Sequence, residues 1–300
     1  MALPPPSKDQ AYCNVSVLEA GHLSCAENLL KQPCAPDVMA ALPCLCFLLQ
    51  HSSRKEKFLF DLGVRRDIEN YPPAVAKSLQ PGGVMSCEVP QDVVESLAKG
   101  GLAPDDIDYV GISHLHWDHI GDTSKFKKCT FILGAEGKSV LESSYPANPD
   151  SWYASDVPPP AQTRYLSPEG WRPIGPFPRT HDFYGDGSLF IVDAPGHLPG
   201  HINILARTSS DGSWVFLAGD SVHHWDIIKG EAKVAVGASW SPHFCIHQDL
   251  PKAEEHIEHI KRFNALPKTQ VILGHDSPWY TENKGSSTAF FPGTIAPRKD

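Results

Sequence analysis

The chain has 300 residues, of which 41% are hydrophobic, and a formal net charge of −9. This composition is enough for a packed core and excludes a disordered chain, while the acidic balance disfavours nucleic acid as a partner. No segment has the length and hydropathy of a membrane span or a signal peptide, so we expect a cytoplasmic protein without a membrane partner. The eight cysteines lack CxxC spacing and are expected to be free thiols.

The N-terminal part of the chain predicts a sheet. Apolar segments at 15–21, 43–50 and 57–63 are typical of strands, and the polar stretch between the last two predicts a hairpin turn. A helix is predicted within 90–102, where apolar residues recur at helical spacing before two glycines. A second helix, over 250–266, has an apolar stripe along one face.

The later strands repeat one arrangement, in which a short apolar strand leads into a polar or glycine-containing loop. The four segments are CTFILG, SLFIVDAPG, WVFLAGD and TQVILGHD. Together with the two helices, they predict an α/β fold in a single domain over 1–300. Within it, residues 142–180 are an insertion too rich in proline for regular elements, and its aromatic residues predict an ordered loop that packs on something.

Histidine and aspartate side chains follow four of the predicted strands. The first group, in HLHWDH, places His114 and His116 two residues apart, so both can point one way, while Asp118 and His119 can face a second point. Loops at the ends of strands in one sheet meet at one edge, on a rigid base. This geometry suits two neighbouring metal ions. Imidazole and carboxylate ligands together favour Zn²⁺, with Mn, Fe or Co as alternatives.

These motifs resemble those of the metallo-β-lactamase superfamily, whose HxHxDH signature matches residues 114–119. The resemblance continues through APGHLPGH, LAGD and LGHD, and through FDLG upstream of the signature. It implies an αββα sandwich with the metals at the edge between the sheets. It also implies one metal held by His114, His116 and His197, a second held by Asp118, His119 and His275, Asp220 as the bridge, and Asp61 as a structural residue beneath the site.

A paired metal site predicts hydrolysis by solvent. A water shared between two divalent cations is expected to lose its proton near neutral pH and to attack a carbonyl as a metal-bridging hydroxide. Asp118, a ligand beside that hydroxide, is the candidate that passes a proton to the leaving group. The chain has no GxSxG nucleophile motif, so covalent acyl transfer has no support.

Within the superfamily, LGHD and FDLG are most similar to the acyl-homoserine lactonase group. The resemblance therefore implies a hydrolase that opens a small lactone or a related lactam, with a small molecule as its partner. Two alternatives stay open: a thioesterase of the glyoxalase II type, and a metal-bound binding protein without turnover. The oligomeric state cannot be inferred from the sequence.

The pocket residues are predicted from the insertion and from the loop after Asp220. We expect Trp152, Tyr153 or Trp171 to wall the substrate pocket, because aromatic residues on a proline-rich loop need something to cover. His223 is a further candidate for the pocket lining. His201 is expected to orient a ligand or its loop without binding metal.

Overall fold

The computed structural model describes residues 2–35 and 37–299. Its strands are β1 (Cys13–Ala26), β2 (Lys31–Gln32), β3 (Met39–His51), β4 (Lys57–Phe60), β5 (Met85–Glu88), β6 (Tyr109–Gly111), β7 (Thr130–Gly134), β8 (Thr163–Leu166), β9 (Arg172–Ile174), β10 (Phe177–Asp182), β11 (Leu189–Asp193), β12 (Ile202–Arg207), β13 (Trp214–Leu217), β14 (Lys233–Val234) and β15 (Thr269–Ile272). Its α-helices are α1 (Pro73–Ser78), α2 (Val93–Ala98), α3 (Trp117–Ile120), α4 (Gly137–Leu141), α5 (Trp225–Lys229), α6 (Leu250–Asn264) and α7 (Ser277–Asn283).

Two sheets face each other. The first has the strand order β5-β1-β3-β4-β6-β7-β8, and the second has the order β15-β13-β12-β11-β10-β9. Helices α1 and α2 pack on the outer face of the first sheet, and α6 packs on the outer face of the second. The layers therefore run helix, sheet, sheet, helix, which confirms the predicted αββα sandwich.

Strand β3 shows why both faces of the first sheet are apolar. Cys44, Cys46 and Leu48 belong to the core beneath the helices, whereas Phe47 and Leu49 belong to the core between the sheets. Successive side chains of a strand point to opposite faces, so a sheet covered on both sides needs apolar residues at every position. The hairpin predicted between 43–50 and 57–63 is present as the antiparallel β3–β4 pair.

The strands place the polar loops at one edge. β4, β6 and β7 run parallel in the first sheet, and β13 and β15 run parallel in the second. β11 pairs antiparallel with β12, which pairs antiparallel with β13, so β11 and β13 share a direction. As a result, the segments after β6, β11, β13 and β15 leave their sheets where the two sheets meet.

The insertion differs from its prediction. Residues 142–180 contain β8, β9 and the start of β10, although the proline content predicted no regular elements there. β8 lies at one edge of the first sheet, and β9 lies at one edge of the second. Proline is tolerated at a sheet edge because its missing N–H removes no internal ladder bond, and Pro173 lies in such a strand. Across residues 2–35 and 37–299, no helix has the length and hydropathy needed to cross a bilayer.

Candidate metal centre and substrate cavity

The segment after β6 contributes the first group of side chains. Short helix α3 starts directly after His116, so Asp118 and His119 lie on its single turn, and all three side chains reach the edge between the sheets. The loops after β11, β13 and β15 bring His197, Asp220 and His275 to the same point. The structure thus places the seven candidate residues from the sequence close together. Their role as metal ligands is part of the proposal below.

The first set of donor atoms consists of three imidazole nitrogens and one carboxylate oxygen. His114 Nε2 lies 2.8 Å from His116 Nδ1 and 3.2 Å from His197 Nε2. His197 Nε2 is also 3.0 Å from His116 Nδ1. Oδ2 of Asp220 faces this group, 3.6 Å from His197 Nε2 and 3.8 Å from His114 Nε2.

The second set shares Asp220 with the first. Its other oxygen, Oδ1, lies 3.1 Å from His119 Nε2 and 3.4 Å from His275 Nε2. Oδ2 of Asp118 is 3.2 Å from His275 Nε2 and 3.8 Å from His119 Nε2. The two oxygens of one buried carboxylate therefore point into two separate donor groups, each with atoms within 4.8 Å of one another.

The hydrogen bonds around the histidines show that these donor groups fit cations. His119 donates from Nδ1 to Asp61 Oδ2 at 2.8 Å, and His275 donates from Nδ1 to the Pro43 carbonyl at 2.9 Å. When the ring is neutral, its inward Nε2 therefore carries a lone pair and no proton. In the neutral rings of His119 and His275 these two lone pairs face each other at 3.3 Å, an arrangement that fits a cation between them better than a hydrogen bond.

The charges agree with this arrangement. Burial and the neighbouring imidazoles hold the pKa of His114 well below its usual value. Burial also opposes protonation of His119 and His275, but the carboxylates, Asp220 foremost, raise the pKa of both rings well above the usual value. Burial alone would raise the pKa of Asp220, yet the facing histidines hold it well below its usual value. Positive charge is therefore favoured around the carboxylate of Asp220, where a divalent cation would supply it.

Asp61 lies beneath the site as a supporting carboxylate. Besides His119 Nδ1, it accepts hydrogen bonds from the Ser113 backbone N–H at 2.6 Å and from Ser113 Oγ at 2.8 Å. Its backbone has a φ of +62°, a conformation that aspartate and asparagine tolerate better than most residues. These contacts fix both the loop that begins the signature and the ring orientation of His119.

His201 supports the bridge between the two sets. The Asp220 backbone N–H donates to His201 Nε2 at 3.2 Å, and the His201 ring is fully buried. Gly219 allows this approach, because a Cβ at that position would lie 3.0 Å from His201 Nε2. The expected orienting role of His201 therefore has a structural basis in the position of Asp220.

A cavity of about 470 Å³ opens above the two donor sets. Asp118, Asp220 and His275 lie at its base, and most of its wall is aliphatic or aromatic. The aromatic lining residues are Trp117, Trp152, Tyr153, Trp240 and Phe244. A mostly apolar cleft with a few convergent polar groups at its base is the usual form of a small-molecule site.

The predicted pocket residues separate into two groups. Trp152, Tyr153 and His223 line the cavity, and His223 Nε2 lies 3.1 Å from Asp220 Oδ2. Trp171 lies elsewhere, which corrects the expectation that it could form a wall. It follows β8 at the sheet edge, where its ring stacks on His181 with centroids 5.6 Å apart.

Sequence reasoning missed the segment 235–249. Trp240 and Phe244 line the cavity, and His247 packs against His197 and His223 with ring centroids 5.2 Å apart in each pair. A signal was present, because this segment also places aromatic residues beside a proline. His247 belongs to no motif, and its proximity to the site arises only from the fold.

Comparisons with known proteins agree with the geometry. The chain is 31% identical over 298 residues to the Cytochrome P450 monooxygenase mpaDE' of Penicillium brevicompactum, covering 91% of this chain but 34% of that relative. It is 37% identical over 174 residues to Gamma-lactamase MBL2 of Gibberella moniliformis, covering 55% of this chain and 70% of that protein. The chain thus spans about a third of the length of the P450 relative.

A solved structure shares the fold. The N-acyl homoserine lactone hydrolase with the product N-hexanoyl-L-homoserine bound at its catalytic metal center superposes with a TM-score of 0.71 at 19% identity, covering 94% of this chain and 98% of that one. The sequence pattern of the Metallo-beta-lactamase superfamily matches residues 39–261, which include the signature, His197 and Asp220. The chain belongs to the metallo-beta-lactamase superfamily.

Proposed function

We propose that this chain is a dinuclear metal-dependent hydrolase that opens a small lactone or lactam. The observation that carries the proposal is the shared carboxylate of Asp220, whose two oxygens face two buried donor sets at the base of an apolar cavity. We propose Zn²⁺ as the native ion, because the first set offers three imidazoles and the second offers two imidazoles with a further carboxylate. Mn, Fe and Co remain alternatives for the same ligands.

The relatives support a ring-opening reaction. One curated relative is named a gamma-lactamase, and the superposed structure is an N-acyl homoserine lactone hydrolase. Lactone and lactam opening are the same reaction on different rings. Water adds across the acyl C–O or C–N bond, the water oxygen joins the acyl carbon, and a proton must reach the leaving oxygen or nitrogen.

Different residues of the chain have different roles in this reaction. When bound, two divalent cations supply an activated water molecule and positive charge for the carbonyl oxygen. Asp118 lines the cavity beside the second set, so its carboxylate is placed to accept a proton and to pass it to the leaving group. His223 lines the cavity with its Nε2 3.1 Å from Asp220 Oδ2, which suits a role in positioning the substrate.

The surrounding apolar wall excludes water and strengthens these polar contacts, because charges interact more strongly in a medium of low dielectric constant. We also propose that the reaction takes place in the cytoplasm. All eight cysteines are free, which is typical of proteins in a reducing compartment.

The test compares metal-loaded and chelated protein on a panel of lactones, lactams and thioesters, with proton release as the readout. We expect about two equivalents of a transition metal by elemental analysis, hydrolysis of ring substrates, and loss of that hydrolysis on chelation. Restored activity after metal is returned controls for unfolding by the chelator. A metal-free preparation with full activity, or a protein that cleaves thioesters and no ring substrate, would contradict the proposal.

A further inference from the structure

The cavity has two aromatic walls that come from separate parts of the chain. The first wall is Trp152 and Tyr153 of the insertion, and the Tyr153 ring lies nearly parallel to the His116 ring, with centroids 6.1 Å apart. The second wall is Trp240 and Phe244, whose rings are 5.6 Å apart. Rings on two walls favour a flat occupant, because stacked and edge-to-face contacts add to the gain from apolar burial.

The second wall is attached to the site at both ends of its segment. At the start, the Ala235 N–H donates to the Leu30 carbonyl at 3.3 Å. At the end, the Gln248 N–H donates to the carbonyl of His197 at 3.1 Å. The segment 235–249 is therefore placed by one of the candidate ligand residues, so a group bound against Trp240 is connected to the same loop that presents His197.

The lining excludes charged occupants beyond the donor sets. Among the described residues that line the cavity, the only acidic or basic side chains other than histidine are Asp118 and Asp220. A phosphate, a carboxylate tail or an ammonium group on the substrate would find no oppositely charged partner on either wall and would lose its hydration. The two walls therefore favour an uncharged group between them.

Trp240 gives the strongest indication of what the cavity takes. It is 55% exposed, the second most exposed of the large apolar side chains within residues 2–35 and 37–299, and Val84, another cavity residue, is 47% exposed. Large apolar groups exposed at the mouth of a cleft are typical of a surface that a ligand covers. An occupant that reaches from Asp220 to Trp240 would cover the exposed apolar side chains of Trp240 and Val84.

We propose that the substrate is an uncharged lactone or lactam fused to an aromatic ring, and that Trp240 and Phe244 select it. This inference rests on the proposed function and names its substrate class. The reacting ring lies over the donor sets, and the fused aromatic ring lies between the two walls. A straight acyl chain would fill the same volume without the stacking contacts that the walls offer.

The test uses two pairs of substrates that differ only in the fused ring: γ-butyrolactone with 2-coumaranone, and δ-valerolactone with 3,4-dihydrocoumarin. Because the fused compounds are intrinsically more reactive, the informative quantity is the ratio of variant to wild-type kcat/KM for each substrate. Trp240→Ala and Phe244→Ala should lower kcat/KM for the fused substrates by about tenfold, mostly through KM, and change the unfused ones less than about twofold.

Trp171→Ala is the matched control, since it removes an indole from outside the cavity and should alter neither class. Metal content and thermal unfolding are measured for every variant. Two results would overturn the inference and leave the proposed function intact. The first is an equal loss of kcat/KM on fused and unfused substrates, and the second is a loss of kcat/KM that is confined to N-decanoyl-homoserine lactone. Failure of the wild-type protein to open any ring would instead overturn the proposed function, and this inference with it.

Discussion

The substitution Asp61→Asn tests how the second donor set is held. Oδ2 of Asp61 accepts the proton on His119 Nδ1 at 2.8 Å and keeps the lone pair of His119 Nε2 facing inward. Oδ1 accepts from the Ser113 N–H at 2.6 Å. An asparagine that keeps its oxygen on the Ser113 N–H turns its NH₂ toward His119. Because two donors then face each other, the His119 ring must take the other tautomer, with its proton on Nε2, where a cation would lie.

The expected magnitude follows from that change. Loss of a carboxylate that orients a metal-binding histidine typically lowers metal affinity by about 10-fold to 100-fold, or about 1.4 to 2.8 kcal/mol. Asp61 reaches the first set only through Ser113 Oγ, which lies 3.0 Å from His114 Nδ1, so the equivalent held by the second set should weaken more than the other. Asp61→Asn should add no backbone strain that could itself change metal affinity, because asparagine also tolerates the positive φ at this position.

The assay is a titration of chelated protein with Zn²⁺ or Co²⁺ in competition with a chromophoric chelator, followed by turnover at each metal ratio. Asp186→Asn is the matched control, since Asp186 pairs with His51 at 3.0 Å in a similar His–Asp contact outside the site. It should leave both equivalents unchanged. If Asp61→Asn bound both equivalents as tightly as the wild type, the tautomer argument for His119 would be wrong.

Three further predictions concern the remaining parts of the site. Asp220→Ala should lower the binding of both metal equivalents and turnover together, because it removes the carboxylate whose two oxygens face the two sets; unchanged occupancy by elemental analysis would show that Asp220 is not part of the centre. Trp152→Ala should raise KM or change substrate preference at constant metal content, since it removes wall area and no donor atom; an unaltered KM and substrate ranking would make it scaffold only. His247 is 2% exposed, and neither of its ring nitrogens has a hydrogen-bond partner within residues 2–35 and 37–299. His247→Phe should therefore leave the free energy of unfolding of chelated protein unchanged or raise it by about 1 kcal/mol. A clear fall in Tm would show that the ring makes a stabilising polar contact.

The sequence predicted the donor residues because their positions depend on local rules. Each group directly follows a short apolar strand, and strands with one direction deliver their following loops to one edge. The HxHxDH spacing then places Asp118 and His119 on one turn of α3, away from His114 and His116. These local rules bring the groups to one edge, whereas the family resemblance supplied the facing sheets, the division into two ligand sets and the bridging role of Asp220.

The cavity walls could not be predicted in the same way, because they depend on contacts between distant segments. Trp171 and Trp152 lie on the same proline-rich insertion, yet β8 turns the chain along the sheet edge between them and separates their environments. Trp240 lies 20 residues after Asp220 in a segment without a helix or an extended strand, and backbone bonds to distant residues, such as Ala235 to Leu30 and Gln248 to His197, hold that segment at the cavity. An aromatic residue beside proline indicates a loop that covers something, but it does not indicate which surface is covered.

The two donor sets are held by different parts of the molecule, and this has a consequence for variants of the walls. In the second set, His119 bonds Asp61 and His275 bonds the Pro43 carbonyl in β3, so both rings depend on the rigid first sheet. In the first set, the His197 carbonyl is bonded by the segment that carries Trp240, and His116 lies against Tyr153. Substitutions in the walls should therefore affect metal binding by the first set before they affect the second. A wall variant that does lose metal should lose the equivalent held by the three histidines first, and loss from the second set first would show that the walls and the first set are mechanically independent.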